Sequence, residues 1–116
     1  YADLSYAYMD SANLGYAELS NANLTGASLS GAYLRYADLT GANLISAYLT
    51  NADLSYAELY QADLFAADLT GAYLYYADLT GADLTDADLT AVYWYDTTCP
   101  DGTNSDDNGN TCVNNL

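Results

Sequence analysis

Small and large apolar residues recur along this chain with a strict period of five. Alanine occupies every fifth position from Ala2 through Ala87, and leucine follows two residues later from Leu4 through Leu89, with one replacement at Met9. In an α-helix five residues advance by about 140°, so the alanines would spread over every face. In a flat strand an odd period would place successive alanines on opposite sides. The pattern therefore predicts a chain that turns a corner within each block and keeps both residues inside.

The outer positions repeat every 20 residues, which predicts four blocks per coil. The two clearest sets are a tyrosine column and an acidic column, Tyr16, Tyr36, Tyr56 and Tyr76, and Glu18, Asp38, Glu58 and Asp78. Stacked coils would be joined by backbone hydrogen bonds about 4.8 Å apart. The core columns include Leu4, Leu24, Leu44, Leu64 and Leu84, and Ala2, Ala22, Ala42, Ala62 and Ala82. We predict an all-β solenoid with short strands and a square cross-section over residues 1–95.

Blocks such as ADLTG, ANLIS and AELYQ resemble the pentapeptide-repeat family, whose pattern is A-[D/N]-L-x-x. The resemblance covers residues 1–95. It implies a right-handed quadrilateral β-helix with leucine and alanine inside, and the handedness rests on the resemblance alone. Some members of that family imitate the size and charge of duplex DNA and inhibit or protect DNA gyrase. The resemblance therefore adds a DNA-mimicking modulator of a type II topoisomerase as an alternative function.

Charge excludes several classes of partner. The chain has one basic residue, Arg35, against 16 acidic residues and no histidine, for a net charge of −15. Such a charge repels nucleic acids and anionic membrane surfaces, so we expect no direct nucleic-acid binding. No apolar run is long enough to span a bilayer. The acidic side chains would lie on a convex wall without a pocket, so we expect no enzymatic activity.

The repeat pattern stops after Trp94, and residues 96–116 form a tail rich in turn-forming residues. Cys99 and Cys112 are the only cysteines, and they bracket a loop. We predict a disulfide that closes a capping loop over the last coil; two metal-binding thiols are the alternative, although zinc usually requires further ligands. A disulfide indicates an oxidising compartment, so the sequence favours a secreted or periplasmic protein.

Within the loop over 101–112, Asn104, Asp106, Asn108 and Gly109 have the spacing of a calcium-binding loop. The first ligand position holds asparagine rather than aspartate. The alternative is a series of Asx turns in which these side chains bind the loop's own backbone. Weak calcium binding is thus predicted beside a purely structural interpretation, and no other cofactor is expected.

The outer columns allow structural and functional interpretations. The tyrosine column either stiffens the wall by stacking or provides a contact strip for a protein or glycan. The acidic column either keeps the surface solvated or binds divalent cations and imitates a phosphate backbone. A threonine column at Thr50, Thr70 and Thr90 raises ice binding as a third function.

From these features we predict a non-enzymatic structural or protein-interaction solenoid that is exported from the cytosol. The repeats are in register from residue 1, so the first coil would present open strand edges. Open edges favour pairing with another chain. We therefore expect a homo-oligomer or an end-to-end assembly through this coil.

Overall fold

Coils of 20 residues stack along the chain in the computed structural model, which describes residues 1–116. Parallel β-bridges join the third residue of each five-residue block to the residue 20 positions further along, from Asp3 with Asn23 to Asp78 with Thr98. The only helix is a 3₁₀ helix, Ser105–Asn108. The resulting rod measures 36 × 25 × 22 Å.

The bridges are isolated, so the structure forms no strand or sheet where the sequence predicted short strands. A turn in every block limits the extended backbone, since the Ala7 N–H donates to the Leu4 carbonyl oxygen at 3.1 Å. From Asn23 through Thr98, each bridge residue nevertheless pairs twice with the coil before it. The Asn23 N–H donates to the Ala2 oxygen at 2.9 Å, and the Asn23 oxygen accepts from the Leu4 N–H at 2.8 Å. Each block thus contributes a single residue to a parallel ladder between coils.

The residue before each alanine lies in the left-handed region of backbone conformation. Its φ is +64° at Gly41 and +61° at Tyr16. Glycine adopts this conformation readily, whereas other residues are strained by contact of Cβ with the backbone. A Cβ at Gly41 would also lie 2.7 Å from Asn21 Oδ1, so the Asn21 side chain would have to move. Any tyrosine at such a corner must offset the strain through its contacts.

The core consists of the two inward columns. The leucines from Leu24 through Leu79 are fully buried, and the alanines from Ala22 through Ala77 are at most 1% exposed. Burying one leucine stabilises the fold by about 1.5–3 kcal/mol before ordering entropy is subtracted.

The first coil departs from the predicted core. Ala2 is exposed and Leu4 is only half-buried, so placing Ala2 in the buried core was wrong. The physical reason is that this coil packs against a neighbouring coil on one side only. At the other end Ala82 and Leu84 remain buried, at 8% and 3% exposure.

The ladder continues past residue 95. Thr98 forms a parallel bridge with Asp78, as a further block of five would require. In that block Thr97 takes the alanine position and Cys99 takes the leucine position, and both are fully buried. The tail therefore begins with a block whose inward residues are part of the buried interior.

The predicted disulfide joins Cys99 to Cys112, with 5.3 Å between their Cα atoms. It leaves no free cysteine. The tail then folds back on the last block, where the Ser105 N–H donates to the Thr97 oxygen at 2.9 Å. These contacts reach one part of the last coil. Elsewhere on it, the N–H groups of Leu89 and Trp94 have no acceptor.

Candidate functional site

The third residue of each block explains why carboxylates and amides line the coils. The N–H two residues later has no partner in the ladder, and an Asp or Asn side chain accepts it. Asp38 Oδ1 accepts from the Thr40 N–H at 2.9 Å, and Asp78 Oδ1 accepts from the Thr80 N–H at 2.9 Å. The same contact occurs at Asp3, Asn13, Asn23, Asn43, Asp53, Asp63, Asp68, Asp83 and Asp88. These are Asx turns, which the sequence analysis missed in the repeats.

Hydrogen bonds also favour the charged form of two turn carboxyls, Asp38 and Asp68. The Ser20 hydroxyl donates to Asp38 and, together with the Thr40 N–H, holds the pKa of Asp38 below its usual value. The Thr70 hydroxyl lowers the pKa of Asp68 against the opposing effect of burial. Hydrogen bonds to an ionised carboxylate favour that form. Asp38 and Asp68 are therefore charged at neutral pH.

The four acidic residues proposed as an interaction column lie in one stack. Bridges join Glu18 to Asp38, Asp38 to Glu58, and Glu58 to Asp78. The two aspartates are half-buried turn residues, whereas the two glutamates are exposed. A glutamate has an extra methylene, and neither glutamate makes the turn contact. Two of the four carboxylates are thus engaged by the fold, and Glu18 and Glu58 are free for a partner.

The four tyrosines proposed as an interaction column form a continuous stack. Ring centroids are 4.9 Å apart for Tyr16 and Tyr36, 4.7 Å for Tyr36 and Tyr56, and 4.8 Å for Tyr56 and Tyr76. The ring planes lie within 15° of parallel. The exposed fraction falls from 74% at Tyr16 to 37% at Tyr56. The stack therefore presents ring edges and hydroxyl groups to solvent in a fixed row.

A second group of tyrosines extends this row around the corner. Tyr73 and Tyr93 stack at 4.7 Å, and Tyr75 contacts both rings edge-on. Tyr95 joins this group to the column through an edge contact with Tyr76 at 5.4 Å. Burial raises the pKa of the Tyr76 hydroxyl, and Tyr95 adds to the effect. We call the combined patch the aromatic surface, formed by Tyr16, Tyr36, Tyr56, Tyr73, Tyr75, Tyr76, Tyr93 and Tyr95.

Arg35 lies at the edge of the aromatic surface. Its guanidinium carbon is 5.7 Å from the Tyr36 ring centroid and 5.4 Å from that of Tyr56, within the range of a cation–π contact. Its Nη1 lies 3.4 Å from Asp53 Oδ2. The only cation among the side chains is thus held by two rings and one carboxylate. A cavity of about 400 Å³ opens beside it, lined by Asn13, Gly15, Tyr16, Tyr33, Arg35 and Tyr36.

The three residues proposed as calcium ligands bind other parts of the tail. Asn104 caps the 3₁₀ helix by accepting from the Asp106 N–H, and its amide donates to Asp96 Oδ1 at 2.6 Å. Asp106 Oδ1 accepts from the Asp96 N–H at 2.9 Å. The Asn108 amide donates to the Asn104 carbonyl at 2.8 Å. No three His, Cys, Asp or Glu side chains are grouped as a metal site. Weak calcium binding stays a prediction, and it would compete with these contacts.

Comparison with known proteins places the repeats in context. The sequence matches the family model for pentapeptide repeats, in eight copies, over residues 2–35, 27–64 and 66–91. Among solved structures the chain is similar to HetL, a pentapeptide repeat protein involved in heterocyst differentiation regulation in the cyanobacterium Nostoc sp. strain PCC 7120. Identity is 38% and the TM-score is 0.62, over 89% of this chain and 51% of HetL. The chain thus spans about half the length of HetL.

The chain is also similar to a pentapeptide repeat protein from the thylakoid lumen of Arabidopsis thaliana. Identity is 32% and the TM-score is 0.64, over 99% of this chain and 86% of the plant protein. A search of curated proteins finds no match. No helix in the structure has the length and apolar character needed to cross a membrane.

Proposed function

The chain belongs to the pentapeptide-repeat family, and on that premise we propose that it is a non-enzymatic interaction protein whose aromatic surface binds a protein partner. The matches indicate no enzyme family. Stacked repeats build extended surfaces on which partners bind. The observation that carries the proposal is the chain of ring contacts that joins the tyrosine column to Tyr73, Tyr75, Tyr93 and Tyr95.

The aromatic surface suits an interface because its rings are already ordered. Tyrosine is enriched at protein interfaces and supplies a large contact area with few rotatable bonds. Rings held by stacking lose little further freedom when a partner binds. The column also occupies strained backbone, with φ of +60° at Tyr36 and +63° at Tyr56. Glycine at Gly41 makes the same corner without strain, which supports a role for the ring itself.

The double substitution Tyr36→Asn and Tyr56→Asn tests this proposal, because asparagine tolerates the left-handed backbone. We expect at least a tenfold loss of the specific partner captured from an extract of the source cells and quantified by mass spectrometry. Tyr60→Thr is the control, since Thr40 and Thr80 occupy the same column. Unchanged capture together with a lower melting temperature would mean that the column only stiffens the wall.

The shape that we propose is a right-handed quadrilateral coil capped by the tail. Bridges at every fifth residue that join positions 20 apart support four sides. The structural similarity to pentapeptide repeat proteins supports the hand. The return of the chain onto Thr97 through Ser105 supports the cap. A crystal structure tests all three features.

Export is supported by the Cys99–Cys112 disulfide, because reducing compartments rarely keep such bonds. The similar plant protein comes from the thylakoid lumen. Mass analysis of native protein alkylated before lysis tests the point. Protein isolated with both thiols alkylated would contradict export.

We also propose that the first coil of one copy pairs end to end with the last coil of another, where the N–H groups of Leu84, Leu89 and Trp94 are unpaired. The Leu89 and Trp94 side chains are half-buried beside them. Exposed edges of this kind accept a strand-like partner. Light scattering over a hundredfold concentration range tests this association. A mass that stays at 12.4 kDa throughout would exclude it.

Modulation of DNA gyrase is the second candidate, and the net charge of −15 is the observation that favours it. An acidic rod presents negative charge to a DNA-binding surface as a duplex would. A supercoiling assay with micromolar protein tests this function. Inhibition that weakens as salt rises would place it ahead of the first candidate.

A further inference from the structure

An interrupted aromatic column lies on a different side of the coils from the aromatic surface. Bridges join Tyr8 to Ser28 and Ser28 to Tyr48, so two tyrosines two coils apart flank a serine. A cavity of about 490 Å³ opens there, lined by Tyr6, Tyr8, Gly26, Ser28, Ser30 and Tyr48. We call this cavity the slot.

The complete tyrosine column shows what size of group such a gap holds. Tyr36 lies between Tyr16 and Tyr56, which are also two coils apart, at 4.9 Å and 4.7 Å from their ring centroids. The slot therefore has the height for one planar group between Tyr8 and Tyr48. Ser28 is too short to fill it.

One carboxylate, Asp10, is hydrogen-bonded to two serines that line the slot. Asp10 Oδ1 accepts from the Ser28 hydroxyl at 2.6 Å and from the Ser30 N–H at 3.0 Å. Its second oxygen, Oδ2, accepts no hydrogen bond from the protein, and the residue is exposed. Further carboxylates follow in the same column at Asp68 and Asp88. Asp10 is thus the carboxylate next to the slot, and no cationic side chain lines it.

The protein already holds one planar cation in a comparable setting. The Arg35 guanidinium lies beside the Tyr36 and Tyr56 rings and 3.4 Å from an Asp53 oxygen. Three tyrosines line the slot, and Asp10 is hydrogen-bonded to two of its serines, but no arginine is present. A guanidinium is planar, stacks on aromatic rings and pairs with carboxylates.

We propose that the slot binds an arginine side chain of a basic partner protein, stacked between Tyr8 and Tyr48 and paired with Asp10. The net charge of −15 attracts a basic segment, which supplies the charge complementarity. The inference rests on the proposed function only in taking the partner to be a protein. It concerns a different side of the coils, so each proposal fails or succeeds separately.

NMR titration of the full chain with a blocked Gly-Gly-Arg-Gly-Gly peptide tests the slot. We expect saturable shifts of the Tyr8 and Tyr48 ring signals. The matched citrulline peptide, which is neutral and nearly isosteric, should bind at least tenfold more weakly. Equal affinity for both peptides, or no shift at the two rings, would overturn the proposal. So would tighter binding of N-acetylphenylalanine amide, since that would assign the slot to a neutral ring.

Ser28→Tyr supplies the blocking variant, because a tyrosine there completes the column with the protein's own ring. Its affinity for the arginine peptide should fall at least tenfold while its melting temperature stays at or above that of the parent. Asp10→Asn should weaken binding while keeping the acceptor for Ser28. Glu58→Gln makes the same charge change in another column and should alter affinity less than twofold. Equal losses in the last two variants would mean general electrostatic attraction and overturn the proposal. The Tyr36→Asn and Tyr56→Asn double variant should bind the peptide normally.

Discussion

The middle coils and the tail hold their backbones by different means. Between Leu24 and Leu79 every block repeats the same buried pair, the same turn and the same ladder contact to the neighbouring coils. The tail has no such repetition, and it depends on one disulfide and on single contacts such as Ser105 with Thr97. Stability of the middle coils is therefore spread over many equivalent contacts, whereas that of the tail depends on a few bonds.

This difference indicates how each region should fail. In a stack where each coil touches only its neighbours, stability grows as a sum of similar terms. Damage to one middle coil weakens contacts on both sides of it. Damage to residues 101–116 should stay local, because the hydrogen bonds of this segment reach no further back than Asp96.

The largest effect is expected for Leu49→Ala, which opens a cavity in a fully buried column. Unfolding in denaturant should show a loss of about 2–5 kcal/mol. Leu4→Ala is the matched control, since Leu4 is half-buried in the first coil and should cost less. Equal losses at both sites would contradict the contrast between middle and end coils.

Loss of the disulfide should rank second. Cys112→Ala frees the loop, and the chain-entropy estimate for a loop of this size is about 3 kcal/mol. Hydrogen exchange should quicken over 97–112 and stay unchanged at Leu49. Adding Cys99→Leu to this variant continues the leucine column and should restore part of the lost stability. Faster exchange throughout the coils would show that the tail supports the whole stack.

Acid should lower the stability of the middle coils, because it protonates aspartates in their turns. Hydrogen bonds from Ser20 and Thr70 lower the folded-state pKa values of Asp38 and Asp68. Their contribution is complete above the unfolded pKa of about 4 and is lost as pH falls through the lower folded values. The melting temperature should fall as the pH is lowered from 5 to 2. Asp68→Asn keeps the turn acceptor and should fall less steeply; an equally steep decline would remove Asp68 as a cause.

The smallest effect is expected for Glu58→Gln, which removes a carboxylate that no turn uses. Two unit charges about 4.8 Å apart repel by about 1 kcal/mol in water, so the melting temperature should rise slightly. Added salt should erase the gain by screening. Asp107→Asn in the tail is the control and should show no change. A gain that persists in high salt would require a cause other than repulsion.

Much of the fold follows from the spacing of Ala and Leu, because only a chain that turns in every block buries both. The 20-residue spacing likewise predicts the tyrosine column, since stacked coils bring those side chains together. The turn role of Asp38 and Asp78 was missed. It depends on an N–H that the ladder leaves without a partner, and this becomes visible only once the ladder is built.

The end of the repeats was harder to predict. Thr97 and Cys99 keep the phase of the alanine and leucine positions, but their residue types differ and the preceding block already contains Trp94. The slot was also missed, although the spacing of Tyr8 and Tyr48 with Ser28 between them is visible in the sequence. The contacts of Asn104 and Asp106 depend on the fold of the tail, which no period describes.

The coil of 20 residues also constrains how such a gene changes length. A duplication of 20 residues inserts one coil and leaves every later side chain in its own column, so surfaces lengthen without redesign. A duplication of five residues preserves the buried pairs but moves everything that follows to the next column. Such an insertion after Leu44 would separate Tyr56 and Tyr76 from Tyr16 and Tyr36 while leaving the interior intact. Fold and surface can therefore be inherited separately, and only insertions of whole coils keep both.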